Sequence, residues 1–567
     1  MKSLFFYIAM FILATGCQQQ SGELIGIKIL TDKETFNPLL EPDVTGDISI
    51  LGIYSNGKNE EITDGKIVYH AETKLASGDV EVIRLQGNKI IPVEGGMGTV
   101  RAVVVKDGKT FMDERDIVVR PFYHDYHQTL VLKIFSLRHP DEGSEYICTF
   151  EETLDIIRKT DILTREIPKI LYLQGWQKGG FDMLFPAWNI VDPRLKRDED
   201  ETAVESLRWL MREAKKYNTI VSLHIDMIQA RVNSPLWDEY VNKDIVSRDE
   251  EGKIILFERF EGETNFSEVS YTREWTEGLA QRRIDGLIEM VPELVDAHTV
   301  HMDNFRTYRK KENRPLSPWH ARPENGGIDM YKETETARKI FKYFRSKGID
   351  VTGEGILWAH PPGEGYYGLQ GYSWWGRGTE HSMQVPERLS ARGGTTRSED
   401  GDVKMSDYRV GSSIHGARIW IKDKENMPGF LEQFCTMALP YYYLSRHERM
   451  ALIDETLYYS DGLIAGDVNG KKTIKKGDYL LVEDDNVFAE AKWKEKEIIA
   501  YSKEGYSNRQ WVLPESWEGV ESVDLYEISI AGLEFLESGR KIVNGRLELS
   551  LKKDQAVSIV PFKAEID

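Results

Sequence analysis

Cysteine is scarce, with three in 567 residues at positions 17, 148 and 435. Cys17 lies in a leader-like segment, which leaves two thiols for the rest of the chain. Tyr146-Ile147 and Gln433-Phe434 lead into Cys148 and Cys435, so both read as buried core thiols rather than as a disulfide. No Cys/His spacing suits zinc. No dense run of oxygen ligands of the calcium-loop kind is present, so no cofactor is expected; a structural calcium stays open. Basic charge is in the minority: 73 Lys and Arg face 93 Asp and Glu, for a net charge of −20. That balance argues against nucleic acid or an anionic membrane surface as the main partner, because both need a basic footprint. Beyond the N-terminus no stretch approaches the ~18 apolar residues that a membrane-spanning helix needs.

The N-terminus itself is informative. Met1-Lys2 precedes an apolar run from Leu4 to Ala14, then Thr15-Gly16-Cys17 and the polar Gln18-Gln19-Gln20-Ser21. A basic start, a short apolar core and small residues before a cut describe a secretory signal. The small-small-Cys ending resembles a bacterial lipobox, although Ala14 stands where Leu is commoner. The resemblance implies a signal peptide over 1–16 and a lipid on Cys17. It places the mature chain at the cell envelope, either periplasmic or on the outer-membrane surface. The whole chain has 41% hydrophobic and 29% charged residues, the balance of an ordinary globular protein, and is too long for one core.

Three textures follow one another. From Ile25 to about Tyr123, short period-two runs alternate with turn signals such as Ser55-Asn56-Gly57 and Lys106-Asp107-Gly108. Examples are Asp47–Tyr54, Val80–Leu85, Gly98–Val105 and Asp116–Arg120; they predict an immunoglobulin-like β-sandwich over 17–124. From Asp125 apolar strands alternate with amphipathic helices. The strands are Thr129–Phe135, Lys169–Gln174, Thr219–His224, His298–Asp303 and Gly348–Thr352; the helices lie near Glu151–Lys159, Glu201–Tyr217, Gln281–Val295 and Glu333–Ser346. Serial βα units over 125–453 predict a (β/α)8 barrel; a doubly wound sheet is the competitor, weakened because no Gly-rich phosphate loop follows the first strand. After Ile453 the period-two pattern returns, in runs such as Asp478–Glu483, Glu497–Ser502 and Gly545–Leu551, and predicts a second β-sandwich over 454–567. The expected fold class is therefore mixed α/β and β, a TIM barrel between two sandwiches.

In a parallel barrel the chemistry sits where strands end. Strand ends here carry Gln174-Gly175-Trp176 with Asp182 beyond, His224-Ile225-Asp226, His301-Met302-Asp303-Asn304, Gly353-Glu354-Gly355 and Trp374-Trp375. Five successive ends with acids, His or Trp exceed what packing asks for. Two carboxylates across a bond are what glycosidic cleavage requires, one attacking or stabilising the anomeric carbon and one protonating the leaving oxygen. Asp303 is the candidate nucleophile and Glu354, between glycines that allow close approach, the candidate acid/base. Taken singly, each is equally a capping or ion-paired acid. Asp182 and Asp226 are candidate partners for sugar hydroxyls. His224 and His301 are candidate donors beside the nucleophile, or core histidines satisfied by backbone. Trp176, Trp358, Trp374 and Trp375 are candidate stacking walls, or core.

From Leu171 to about Trp375 the chain resembles the catalytic barrel of glycoside hydrolase families 101 and 129, which act on α-linked N-acetylgalactosamine. The shared points are Gly175-Trp176 with Gly180-Phe181-Asp182, Leu223-His224-Ile225-Asp226, Asn265, Met302-Asp303-Asn304, Thr352-Gly353-Glu354 and Trp358-Ala359-His360. The resemblance implies a retaining α-glycosidase acting on an oligosaccharide or glycoprotein glycan, with Asp303 as nucleophile and Glu354 as acid/base. It also implies that Asn265, Asn304, Trp358 and His360 contact the sugar. Departures are Phe181 in place of the usual His, Asp226 in place of a commoner Asn, and a Pro-containing loop over Arg314–Asp329; they bear on the sugar and on exo against endo action. The alternatives are an α-glycosidase or transglycosylase of other specificity, or a non-catalytic surface lipoprotein that binds glycans.

Overall fold

The computed structural model describes residues 22–562 except 74–79, 127, 139–145, 181–182, 259–264, 310, 354–360, 362–369, 376–389, 396–412, 416–422, 426, 428, 448, 454–455 and 469. One compact unit ends at Phe122 and a second begins at Tyr123. The first is a two-sheet β structure. A five-stranded sheet runs Leu24–Thr31, Gly46–Tyr54, Lys89–Pro92, Ile83–Gln86, with Asn59–Glu61 also on Gly46–Tyr54. A four-stranded sheet runs Thr35–Phe36, Lys109–Val119, Gly96–Lys106, Lys66–Glu72. Alternation does the folding here: Ile48 and Ile50 from one sheet and Val100, Ala102, Val104 and Ile117 from the other are buried in one core. Strand structure begins at Ile83 and not at Val80, so that sequence run is half loop.

The second unit opens with a closed barrel of eight parallel strands, each paired with its neighbours in chain order and the last with the first. They are β1 (Leu130–Phe135), β2 (Lys169–Gln174), β3 (Thr219–Asp226), β4 (Thr299–Asp303), β5 (Asp350–Gly353), β6 (Gln370–Trp375), β7 (Ser390–Thr395) and β8 (Ser413–His415). Connecting helices include α1 (Phe150–Leu163), α2 (Ala203–Glu213), α3 (Leu279–Met290) and α4 (Met330–Ser346). The first two start on reciprocal capping boxes, Thr149 with Glu152 and Thr202 with Glu205, which satisfy the free N–H groups of the first turn. The expected helix over Gln281–Val295 is two helices, Leu279–Met290 and Glu293–Ala297, divided at Pro292, whose ring cannot continue an unbroken helix. Between β3 and α3 the chain builds an arm from the hairpin Gln229–Arg231 with Phe266–Glu268, packed on Tyr240, Ile245, Val246 and Val269.

The C-terminal region is not two matched sheets. Ten strands from Arg449 onward form one antiparallel sheet, and a two-stranded sheet, Tyr506–Val512 with Arg546–Leu551, lies over it through Phe488 stacked on Trp511 at 5.0 Å. This sheet is fastened to the barrel. Arg165 Nε donates to Glu497 Oε1 at 2.6 Å, the Trp493 indole N–H donates to the Arg165 carbonyl at 2.8 Å, and Lys494 pairs with Glu166. Cys148 and Cys435 are free, buried thiols. No helix among the described residues is long and apolar enough to cross a membrane.

Candidate active site

The barrel inverts the usual polarity of a strand. On β4, Val300 and Met302 face the surrounding helices while Thr299, His301 and Asp303 share the opposite face; on β3 the same alternation sets Ser222, His224 and Asp226 against Val221, Leu223 and Ile225. Parallel register then lines these polar residues up, His224 beside His301 beside Thr352, and Asp226 beside Asp303. Hydrogen bonds show that this face is the interior. Tyr172 on β2 bonds the Thr299 hydroxyl at 2.7 Å, Tyr126 donates to the same hydroxyl at 2.9 Å, and His301 Nδ1 meets Thr352 Oγ1 at 2.8 Å. The His301 ring also lies 5.1 Å from that of Tyr172 and 5.2 Å from that of His224.

Asp303 ends this column at the mouth. Its side chain is 13% exposed, the opening a reacting carboxylate needs, and His224 Nε2 lies 3.7 Å from its Oδ2. Asp226, its neighbour in register, is fully buried. Its Oδ1 accepts the backbone N–H of Ile228 at 2.6 Å and of Gln229 at 3.0 Å, and its Oδ2 accepts Gln229 Nε2 at 2.9 Å. Those three donors favour the carboxylate. Burial, and then the Asp303 charge, oppose them and hold the Asp226 carboxyl well above the usual range. Two neighbouring acids thus have opposite environments, one open to solvent and one sealed. His301 is pushed well below the ordinary histidine range, by burial and then by Lys133, so its ring is neutral. With the Thr352 hydroxyl donating to the Val300 carbonyl at 3.3 Å, the proton of His301 is assigned to Nδ1.

Several expected contacts change on folding. Trp176 is fully buried and its indole N–H donates to the His224 carbonyl at 3.0 Å, so it supports the end of β3 from below and offers no stacking wall. Asp226 is fully buried, with three protein donors of the turn after β3 on its oxygens, and so is not presented to a sugar hydroxyl. Asn265 is exposed at the edge of the arm, where its carbonyl accepts Val232 N–H at 3.1 Å. Asn304 is exposed beside Asp303 in the left-handed region, φ 40°, a conformation asparagine tolerates. Glu354, Asp182, Trp358, His360 and Cys17 lie outside the described residues, as do the side chains of Trp374 and Trp375. Among the described residues no group of three or more His, Cys, Asp or Glu is placed to hold a metal.

Groups with no sequence signal of their own complete the rim. Arg283 from α3 donates to the Asp226 carbonyl at 3.1 Å and pairs with buried Glu274. Past β4, Arg306 pairs with Glu268 of the arm, and Arg309 Nε donates to the other Glu268 oxygen at 2.8 Å. Lys133 does have a signal, a charge inside the apolar run Leu130-Val131-Leu132-Lys133-Ile134-Phe135, and it is 3% exposed.

The chain is similar to solved α-glycosidases. An α-N-acetylgalactosaminidase from Bifidobacterium bifidum, in complex with GalNAc, shares 10% identity over 80% of this chain and 92% of that one, at a TM-score of 0.45. A family 36 α-galactosidase from Geobacillus stearothermophilus shares 12% over 94% and 71%, at 0.41. An α-amylase from Geobacillus thermoleovorans, complexed with acarbose, shares 11% over 78% and 100%, at 0.36. No family model and no curated protein matches the chain. The barrel is established by its own strand pairing, independently of these likenesses.

Proposed function

We propose that this chain is a retaining α-glycoside hydrolase that cleaves α-linked N-acetylgalactosamine or galactose from glycans, with Asp303 as nucleophile and Glu354 as acid/base. The observation that carries the reading is the placement of Asp303. It is a partly open carboxylate at the C-terminal end of a barrel strand, next to His224, one same-face strand position beyond the neutral His301, and beside a second, sealed carboxyl. Glu354 supports it from the sequence: Asp350 and Thr352 alternate with Val351 on β5, and 354 is the next position of that period. The sugar rests on the motif resemblance to families 101 and 129. A lipid on Cys17 would hold the enzyme at the cell envelope, where glycans are met. No cofactor enters this chemistry, because two carboxyl groups supply both the nucleophile and the proton.

The test is turnover of para-nitrophenyl α-N-acetylgalactosaminide and α-galactoside, with proton NMR of the first-formed sugar. Asp303→Asn should lower kcat/KM by about 10^3-fold or more, whereas Glu354→Gln should lower kcat by about 10^2-fold or more, because the para-nitrophenolate needs little protonation to leave but hydrolysis of the glycosyl-enzyme loses its general base. The first product should keep the α configuration. Undiminished turnover in Asp303→Asn refutes the assignment, and a β product refutes retention.

A further inference from the structure

The segment just past the nucleophile strand reverses the sign of the chain. Between positions 306 and 314 stand Arg306, Arg309, Lys310, Lys311 and Arg314 against the single acid Glu312, in a protein whose net charge is −20. Two of these guanidinium groups share one carboxylate: Glu268, 1% exposed, takes both Arg306 and Arg309. One negative charge between two positive ones leaves this three-residue cluster with one positive charge over. Arg309 is consumed by the fold, being 8% exposed, donating also to Ser247 Oγ at 3.2 Å and lying 4.8 Å over the Phe257 ring. Arg306 is not consumed. Its side chain is 37% exposed and its only side-chain hydrogen bond among the described residues goes to Glu268, while its Nε is enclosed without a partner.

Position ties this partly exposed charge to the site. Arg306 is three residues beyond Asp303, within about 10 Å along the chain, and its main-chain N–H donates to the Asn304 carbonyl at 2.8 Å, folding the segment back on the strand end. Its main-chain carbonyl accepts the hydroxyl of buried Tyr271 at 3.0 Å, which fixes the segment from the other side. A guanidinium that is 37% exposed keeps terminal N–H groups beyond those turned to Glu268, and such groups recognise planar or tetrahedral oxyanions by charge-assisted hydrogen bonds.

We propose that Arg306 determines specificity by receiving an anionic substituent, a carboxylate or a sulfate ester, on the sugar that occupies the mouth, so that acidic glycans are the preferred substrate class. This rests on the hydrolase reading above. Three probes separate the sources of the charge: para-nitrophenyl α-galactoside, its primary-hydroxyl sulfate ester, and para-nitrophenyl α-galacturonide, whose carboxylate replaces the hydroxymethyl group. The wild-type protein should favour at least one acidic probe over the neutral one by about tenfold in kcat/KM. That ratio should shrink as ionic strength rises and the charges are screened. Arg306→Gln should bring the ratio to about one, and Arg306→Lys, a point charge without the fork, should keep part of it. The ratio is taken within each variant, so a general loss of activity cancels, and a thermal unfolding curve checks that each variant is folded. Binding of the three probes to the Asp303→Asn protein, read by calorimetry, gives the same ratio without turnover. No acidic preference in the wild type, or a preference that survives Arg306→Gln, overturns the proposal. Neutral turnover that depends on Asp303 but shows no acidic preference sinks this inference alone. Turnover indifferent to Asp303 sinks the hydrolase reading instead.

Discussion

The buried pair Arg283–Glu274 offers the sharpest test of how the end of β3 is held. Both side chains are sealed, at 3% and 0% exposure. Arg283 also donates to Tyr240 Oη at 3.2 Å and to the Asp226 carbonyl at 3.1 Å, and its guanidinium lies 3.9 Å over the Trp188 ring. Glu274→Gln removes the carboxylate that pairs with that guanidinium among the described residues but leaves its shape, so the loss is that of an uncompensated buried cation, about 3 kcal/mol and at most about 5 kcal/mol. Arg283→Met strips three charge-assisted or neutral hydrogen bonds at once and strands Glu274, a cost of about 3–5 kcal/mol. Removing both partners together leaves no orphan charge. The double variant should therefore lose less than the sum of the two, with a coupling of at least about 1.5 kcal/mol. Urea unfolding followed by tryptophan fluorescence reads all three, since Trp188 lies under the guanidinium. Arg283→Met should also lower kcat, because the Asp226 carbonyl loses its donor beside the nucleophile. A Glu274→Gln cost below about 1 kcal/mol, or strictly additive losses, would refute the account.

Two further perturbations test other parts of the fold. Asp350 is buried at the base of β5, its Oδ2 accepting the Tyr123 N–H at 2.7 Å and the Tyr126 hydroxyl at 3.2 Å while its Oδ1 has no partner among the described residues; burial pushes its carboxyl up to about 7. A folded-state value above the unfolded one means that the folded form holds its proton longer, so this group's contribution is full below about pH 4 and is lost as pH rises to about 7. Asp350→Asn, neutral throughout, should flatten that part of a Tm-against-pH profile and raise the Tm at pH 8; an unchanged slope would show that Asp350 does not carry it. Trp511→Ala removes the ring stacked on Phe488 and should cost about 3–5 kcal/mol, read as loss of protection from amide exchange confined first to Tyr506–Val512 and Arg546–Leu551; uniform protection would argue against that packing.

Much of the barrel was legible, for a physical reason. Strands covered by helices need apolar residues on the covered face, and β2 and β4 show that period within a residue of their observed spans. The helices announce themselves through Thr149-x-x-Glu152 and Thr202-x-x-Glu205, where the sequence spacing and the hydrogen bonds coincide. β7 and β8 were not legible. Ser390-Ala391-Arg392-Gly393-Gly394-Thr395 has one β-branched residue and two glycines in six positions, and Ser413-Ile414-His415 is only three residues long; they are strands because neighbours on both sides pair with them. The C-terminal runs were recognised as strands, but nothing in a period of two says whether ten strands share one sheet or are divided between two. At the site, Asp303 stood out because a strand end is a local feature. Asp226 and Trp176 differ from the sequence reading because their roles depend on what surrounds them: three donors within three residues for one, and the His224 carbonyl on the neighbouring strand for the other. Arg306 with Glu268 carries no signal, since it joins the loop after β4 to a strand of the arm 38 positions away.

The clasp at Arg165 has a consequence for anyone wishing to shorten this protein. Glu497 is 4% exposed and is shared between Arg165 and the Ser558 hydroxyl, which donates to it at 2.6 Å. Cutting the chain near 453 to isolate the barrel would therefore delete the acceptor of a mostly enclosed guanidinium and the indole that caps the Arg165 carbonyl, directly below β2. Barrel and C-terminal sheet should be expressed, permuted or transplanted as one piece. A library that exchanges the sheet must carry position 497 with it.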